Sequence, residues 1–296
     1  MSSLKILFVV NPRSGARSKK DWEQIIPEYF KSSSTEIKLF KLTGKNDAAS
    51  LKECIEEFVP ARVVAVGGDG TVSFVAQQLL NTSIAMGILP AGSANGMAKE
   101  LDIPPKGEEA LDIILDGEIK CCDLICVNGK NFCLHLSDLG INAQLIKYFE
   151  EGNIRGKLGY AKVALKVLFN KRLMHAVIKT EKEEIRTKAF MIVIANASKY
   201  GTGALINPEG NLSDGYFEIV IVRRLSLWPV IKIFLQFKRL TPKKFELIQA
   251  KSVEIKLIKK NHFQVDGEYL GKVDYVEAEI MPAQLNLLLP VNNKTT

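Results

Sequence analysis

The segment that most constrains this chain is Val63-Val64-Ala65-Val66, which runs without a break into Gly67-Gly68-Asp69-Gly70-Thr71. A short β-branched run bounded by glycine reads as a buried strand. Three glycines around one aspartate read as a loop whose backbone must come close to something. A nucleotide phosphate suits that description. Bare backbone N–H groups form an anion-binding concavity, and the next helix adds partial positive charge at its N-terminus. Asp69 then stands where a carboxylate holds Mg²⁺ or takes a proton. The chemistry this points to is phosphoryl transfer.

Residues 4–101 repeat the alternation. Strands are predicted at 4–10, 36–42, 63–66 and 84–89, and helices at 18–31, 47–59, 72–80 and 94–101. Such an order implies right-handed βαβ units and an open parallel sheet. From residue 118 the texture changes to short alternating runs with hairpin signals at Asn128-Gly129, Lys259-Lys260-Asn261 and Asp266-Gly267. Strands are predicted there at 120–127, 132–137, 189–195, 216–222, 252–257, 262–265 and 276–280, with helices near 158–169 and 227–238. The division expected is a nucleotide-binding α/β domain over 1–122, completed by 285–296, and a β-rich domain over 123–284. Residues 292–296 are polar and read as a frayed end.

The formal net charge of the 296 residues is +7, which suits an anionic partner: ATP, an acidic membrane surface or nucleic acid. It also suits an ordinary lysine excess on the surface. No apolar run approaches the ~20 residues that span a bilayer. Residues 4–10 run straight into Asn11-Pro12-Arg13 with no cleavage signal, so a cytoplasmic chain is expected. The five cysteines, Cys54, Cys121, Cys122, Cys126 and Cys133, have no metal or disulfide spacing and read as reduced thiols.

Two further loops fall at strand ends. Asn11-Pro12-Arg13-Ser14-Gly15 follows the first strand, and Pro90-Ala91-Gly92-Ser93-Ala94-Asn95-Gly96 follows the strand at 84–89. Ligands of open α/β sheets bind beyond the carboxyl ends of the strands. Asn11 and Ser14 offer hydrogen bonds to a base, ribose or phosphate, and Arg13 offers charge. Asn-Pro and Ser-Gly are also ordinary turn dipeptides. Gly92 permits close approach, and Ser93 and Asn95 can donate or accept at the start of the next helix. Ser93 would serve equally as an N-cap. Together with residues 67–71 these loops make one candidate site where no loop does alone.

Asp266-Gly267-Glu268 is a hairpin turn and also two carboxylates one residue apart. One of them could orient or deprotonate a hydroxyl while the other stays ionised. Asp214-Gly215 ends a polar segment that reads as a surface loop, or as a loop giving oxygens to Mg²⁺ or Ca²⁺. The chain lacks G-x-x-x-x-G-K-[ST], H-R-D, D-F-G and G-x-G-x-x-G. That argues against P-loop, protein-kinase and dinucleotide-dehydrogenase readings.

Taken in order, these motifs resemble the diacylglycerol kinase catalytic family, which includes bacterial soluble diacylglycerol kinases, related lipid kinases, and sphingosine and ceramide kinases. The resemblance is carried by Asn11-Pro12-Arg13-Ser14-Gly15, Gly67-Gly68-Asp69-Gly70-Thr71 and Leu89-Pro90-Ala91-Gly92-Ser93-Ala94-Asn95. It continues through Leu139-Gly140-Ile141-Asn142-Ala143, Arg155-Gly156-Lys157-Leu158-Gly159-Tyr160 and Asn196-Ala197-Ser198-Lys199-Tyr200-Gly201. Asn207-Pro208, Asp214-Gly215 and Val265-Asp266-Gly267-Glu268 complete it.

The resemblance implies an α/β N-terminal nucleotide-binding domain with a parallel sheet, a C-terminal β-sandwich domain, and an active site in the cleft between them. It implies ATP and Mg²⁺ as cofactors. Gly67, Gly68, Asp69, Gly70 and Thr71 would contact the phosphates and the metal, with Asn11, Ser14, Gly92, Ser93 and Asn95 lining the nucleotide site. Asp266 and Glu268 resemble the catalytic carboxylates, with Asp69 beside them in the chemistry. Asp123 resembles a supporting carboxylate, and Asp214 resembles the residue of a structural metal loop that would take in Asn211 and Tyr216. Two positions depart from the family pattern: Gly96 and Asn142 each stand where an aspartate is usual.

A lipid acceptor implies work at an anionic membrane surface by peripheral contact, and no nucleic acid. Residues 225–240 carry Trp228, Ile231, Phe234, Leu235 and Phe237, flanked by Arg223, Arg224, Lys232, Lys238 and Arg239. This suits an interfacial helix, or a core helix with a charged end. A homodimer is the base-rate expectation. Two other classes stay open. An NAD kinase-like enzyme also uses a Gly-Gly-Asp-Gly-Thr loop, although residues 11–15 and 266–268 favour the lipid side. A catalytically silent nucleotide- or lipid-binding protein would not need the carboxylates Asp69, Asp266 and Glu268.

Overall fold

The computed structural model describes residues 3–13, 19–105, 107–152, 172–199, 205–223 and 245–291. They divide into two compact units, Met1–Cys122 with Ala283–Thr296, and Asp123–Pro282. Ser14, the basic stretch 155–160, the helices expected at 158–169 and 227–238, the apolar core of the 225–240 stretch, and the tail 292–296 lie outside the described residues.

The first unit alternates strand and helix. Its elements are β1 (Lys5–Val10), α1 (Lys19–Phe30), β2 (Glu36–Lys41), α2 (Asp47–Phe58), β3 (Arg62–Gly67), α3 (Asp69–Gln78), β4 (Ala85–Pro90), α4 (Gly96–Glu100) and α5 (Glu109–Asp116). β2, β1, β3 and β4 lie side by side in that order, all parallel, with registers Lys5↔Glu36, Ile6↔Arg62 and Arg62↔Ala85. Residues 286–287 of the returning chain add a further parallel strand beyond β4, Asn286↔Ala85. β1, β3 and β4 are buried almost along their length, which is why they read as unbroken apolar runs rather than alternating ones. β2, at the edge, is only half-buried. Because the strands are parallel, the chain leaves β1, β2, β3 and β4 at one common edge. α5 was not expected. It buries Ala110, Leu111 and Ile114 at helical spacing.

The second unit is antiparallel and sandwich-like. It holds β5 (Glu118–Val127, shared at its start with the first unit), β6 (Asn131–Cys133), β7 (Leu136–Gly140), α6 (Ile141–Gly152), β8 (Met174–Thr180) and β9 (Glu184–Ala189). β10 (Met191–Ala195), β11 (Phe217–Val222), β12 (Phe245–Ala250), β13 (Ser252–Val265) and β14 (Glu268–Leu289, its end from Ala283 belonging to the first unit) follow. One row of strands runs β12, β11, β10, β7, with Phe217↔Ala250, Ile192↔Ile221 and Ile192↔Leu139 in register. The other pairs β9, β8, β13 and β14. β13 serves both: Val253 pairs with Thr180 of β8, while Phe263 pairs with Leu139 of β7. A register shift between Lys256 and Asn261 lies between these two stretches, as expected where a strand changes sheets. Alternate side chains from both rows meet in one core, among them Ile178, Ile192, Phe217, Ile219, Ile255 and Phe263.

Two sequence expectations are corrected here, and some elements are new. Lys259-Lys260-Asn261 is not a hairpin turn but the irregular middle of β13. The strand expected at 132–137 is two, β6 and β7, parted at Leu134 and His135, whose N–H groups bond a side chain instead of a strand. α6 and the β8–β9 pair were not expected. Asn128-Gly129 does form a hairpin, joining β5 to β6 with both residues at positive φ, 52° and 65°.

Candidate functional site

In the first unit the glycine loop closes the carboxyl end of β3 and opens α3. Gly68 is the N-cap residue, and Thr71 and Val72 both donate backbone N–H to its carbonyl, at 2.9 and 3.0 Å. Neighbouring strand ends are tied to it. Ala91 N–H donates to Gly67 O at 2.8 Å, and Asn11 N–H donates to Val66 O at 3.1 Å. A Cβ on Gly67 would overlap Thr71, and one on Gly92 would overlap Gly68. The close approach that the glycines permit is therefore partly between the loops themselves.

Side chains complete the lattice. Asn11 Nδ2 donates to Thr71 Oγ1 at 3.0 Å, and Asn11 Oδ1 accepts Arg13 N–H at 2.9 Å. Asn95, at φ 53°, accepts Gly92 N–H through Oδ1 at 2.8 Å and returns a bond from Nδ2 to Gly92 O at 3.0 Å. Asn95, not Ser93, is the N-cap residue of α4; Ser93 is exposed. Asp69 is half-buried, and its Oδ1 accepts Met97 N–H from the first turn of α4 at 3.1 Å. Among the described residues no hydrogen bond reaches its Oδ2. Gly70 is exposed beside it. Gly67, Gly68, Asp69, Asn95 and the apolar Val72, Ile88, Pro90 and Ala98 line a shallow crevice at this strand edge.

The same edge carries a loop the sequence reading passed over. After β2, Asp47 gathers Thr43 N–H and Oγ1 on its Oδ1, at 2.9 and 2.8 Å, and Gly44 N–H on its Oδ2 at 2.8 Å. Arg13 Nη2 reaches Thr43 O at 3.5 Å, and the guanidinium packs on Gly44. Burial would raise the Asp47 carboxyl, but the Thr43 and Gly44 donors and the Arg13 charge bring it below its ordinary value. The signal was there: a Thr-Gly pair four and three residues ahead of an Asp that opens a helix.

In the second unit Asp266 and Gly267 form the two-residue turn between β13 and β14, with φ of 48° and 90°. The Asp266 carboxylate is held in a cradle of donors. Oδ1 accepts His135 N–H at 2.9 Å, Leu136 N–H at 3.1 Å and the Cys133 thiol at 3.3 Å; Oδ2 accepts Leu134 N–H at 2.8 Å. Burial nevertheless raises its carboxyl above the ordinary value, outweighing the donors and His135. Burial, with the Asp266 charge beside it, pushes the Cys133 thiol well up. Glu268 is exposed. So one carboxylate of the pair is fixed inward and the other faces outward.

Asp123, Asn211, Asp214 and Tyr216 are brought together elsewhere in this unit. Asp123 is 3% exposed; its Oδ2 accepts Gly215 N–H at 2.7 Å and its own N–H donates to Leu212 O at 2.6 Å. Asp214 Oδ1 accepts Tyr216 N–H at 3.0 Å, and Asn211 Oδ1 accepts Ser213 N–H at 3.2 Å. Nearby Glu218 is 1% exposed and bonded by Asn207 Nδ2 at 2.6 Å. Burial raises its carboxyl, as do the charges of Asp214 and Glu209. Among the described residues none donates a hydrogen bond to the buried Asn207 Oδ1. Among the described residues no three His, Cys, Asp or Glu side chains cluster as a metal site. The donors at hand are oxygens, side-chain and backbone, which fits a hard divalent cation and no softer metal.

Residues 5–127 match the diacylglycerol kinase catalytic domain, and residues 137–289 match the YegS C-terminal NAD kinase beta sandwich-like domain. The chain is similar to the diacylglycerol kinase of Bacillus subtilis (strain 168), 24% identical over 276 residues that cover 89% of each chain. Its fold is similar to that of a diacylglycerol kinase from Bacillus anthracis str. Sterne, with a TM-score of 0.72 at 18% identity over 98% of each chain. It is also similar to that of an NAD kinase from Archaeoglobus fulgidus in complex with ATP, with a TM-score of 0.55 at 14% identity over 98% of this chain and 94% of the other.

Proposed function

The chain belongs to the family that joins a diacylglycerol kinase catalytic domain to a YegS C-terminal NAD kinase beta sandwich-like domain, and from that premise we propose that it transfers the γ-phosphate of ATP to the hydroxyl of a lipid, diacylglycerol or a close relative of it. That it is a kinase follows from the family. The observation that carries the lipid reading is the presence of both domains, in order, over residues 5–127 and 137–289. The fold it shares with an NAD kinase described with ATP supports ATP as the donor.

Phosphoryl transfer asks for positioning and charge neutralisation more than for covalent chemistry. Gly67, Gly68 and Gly70 would lie along the phosphates with Thr71 behind them, and Asn11, Ser14, Gly92, Ser93 and Asn95 would line the nucleotide. Mg²⁺, which neutralises phosphate charge when bound, would be held by Asp69, whose Oδ1 is fixed on α4 while Oδ2 is left for another partner. Glu268, exposed beside the turn, is the carboxylate assigned to accept the proton of the lipid hydroxyl. Asp266, engaged by four donors, orients the turn that carries it. Asp123, Asn211, Asp214 and Tyr216 are assigned to a structural cation, through carboxylate and backbone oxygens.

No helix among the described residues is long and apolar enough to cross a membrane. The lipid is then met by peripheral contact with an anionic surface, to which a net charge of +7 is suited. The test is transfer of labelled γ-phosphate from ATP and Mg²⁺ into vesicles holding diacylglycerol, monoacylglycerol, phosphatidylglycerol or a sphingoid base, with NAD as a soluble acceptor alongside. A labelled lipid is the expected result. Label in NAD alone, or in nothing while ATP binds, would overturn the lipid reading.

A further inference from the structure

The turn that carries Glu268 is gripped from inside the second unit by a chain of buried polar side chains. Gln264 is 2% exposed and Asp138 is 1% exposed. Gln264 Nε2 donates to Asp138 Oδ2, and Gln264 Oε1 accepts Gly267 N–H at 2.7 Å. Asp138 also takes Ala143 N–H on Oδ1 at 2.9 Å and Asn142 Nδ2 on Oδ2 at 2.6 Å, both from the first turn of α6.

The chemistry of these groups fixes a direction. An ionised carboxylate only accepts hydrogen bonds, whereas an amide has a donor end and an acceptor end. Surrounded by donors, Asp138 takes the NH₂ of Gln264, as Leu136 O does more weakly at 3.5 Å, which leaves the carbonyl oxygen for Gly267. A glutamine facing a neutral partner could turn over, and its NH₂ would then oppose the Gly267 N–H. Buried polar groups cost free energy unless every member is bonded. An apolar side chain would pack β13 at lower cost, so the arrangement serves orientation more than packing.

We propose that Gln264 and Asp138 are positioning residues for the Asp266–Glu268 turn: Asp138 fixes which end of the Gln264 amide meets Gly267, and that bond sets the direction in which Glu268 leaves the turn. This rests on the reading of Glu268 as proton acceptor. Neither residue needs to touch a substrate.

The experiment is a double-mutant cycle on the full chain, with Gln264→Met, which keeps the volume and removes both bonds, and Asp138→Asn, which keeps the shape and frees the amide to turn over. Each variant is read by kcat and KM for lipid phosphorylation and by hydrogen exchange at the Gly267 amide. The expected result is a fall of kcat of at least tenfold in each, KM for ATP within twofold of wild type, and Gly267 exchange at least tenfold faster. The double variant should be no worse than the poorer single one, because both break one chain of bonds. Wild-type kcat and exchange in either folded variant, or losses that multiply in the double, would overturn the proposal. Should Gln264→Met fail to fold, Asp138→Asn carries the test with exchange at the Asp266 amide, which donates to Leu136 O of the same strand as Asp138, read beside it as a control that stays at the wild-type rate. Should wild type phosphorylate no lipid, the functional reading falls while Gly267 exchange still decides the positioning.

Discussion

Gly68 and Gly92 touch backbone to backbone: a Cβ on Gly68 would stand 3.1 Å from Gly92 Cα, and one on Gly92 would overlap Gly68 and come within 2.8 Å of Asn95 Oδ1. Neither neighbour is the yielding end of a flexible chain, because one is backbone and the other is bonded twice to Gly92. Gly92→Ala should therefore destabilise the first unit by about 1–3 kcal/mol, the usual cost of overpacking, and lower activity by shifting the Asp69 loop. Urea denaturation of the variant checks this. A wild-type midpoint would mean that the two loops part freely.

The proton on Asp266 gives a pH prediction. Its folded-state pKa is raised above the ordinary 3.8, chiefly by burial. A raised carboxyl holds its proton more tightly in the folded protein. Its contribution to stability is then fully present below the unfolded value and is lost as pH rises through the folded one. Asp266→Asn removes that loss. The melting temperature of the variant minus that of wild type should rise from pH 4 towards neutrality. A flat difference would show that burial and the cradle of N–H groups cancel, and a falling one that the cradle dominates.

How far the sequence showed this molecule depends on where each signal sits. β1, β3 and β4 were legible because strands buried on both faces cannot avoid being apolar runs, as in Val63–Val66. The turns at Asn128-Gly129 and Asp266-Gly267 were legible because their positive φ angles demand those residues. The cradle around Asp266 was invisible, since it is made of backbone N–H groups from 134–136 that leave no mark in side-chain pattern. β13 was read as two strands because Lys259-Lys260-Asn261 has turn composition, while its neighbours on either side keep the chain extended. Asn142, read only as a departure from a family pattern, turns out to donate to Asp138. A second carboxylate there would face the first.

Val59 ends α2 in the left-handed region, φ 49°, with its N–H on Ile55 O and its side chain 71% exposed. Glycine suits that C-terminal position. A β-branched residue there costs roughly 1–2 kcal/mol, against about 0.5–1 kcal/mol for the greater freedom of glycine in the unfolded chain. Val59→Gly should thus raise the melting temperature by a degree or more. A lower value would reveal packing by Val59 that its exposure belies.

The oxygen-rich loop makes a prediction of its own. If Asp123, Asp214 and their neighbours hold a divalent cation, millimolar Mg²⁺ or Ca²⁺ should raise the melting temperature of the chelator-treated protein through binding to the folded state alone. Asp214→Ala should abolish that rise. An equal rise in wild type and variant would place the cation elsewhere.

The proposed function gives Asp69 a second duty beside its bond to α4, and a conservative substitution separates the two. Its Oδ1 caps the start of α4 through Met97 N–H, and its charge is what a phosphate-bound cation would meet. Asp69→Ala removes both, so a loss of activity in that variant would not distinguish broken loops from a missing charge. Asp69→Asn keeps an oxygen for Met97 and removes only the charge. Asparagine should leave the melting temperature within a degree or two of wild type while turnover falls by at least about a hundredfold, in the range lost when a preorganised electrostatic contact is removed. Kinetics and melting on the same sample check both halves. If Asn retains near-wild-type turnover and only Ala is inactive, then Asp69 holds the loop to α4 and the metal is held by other groups.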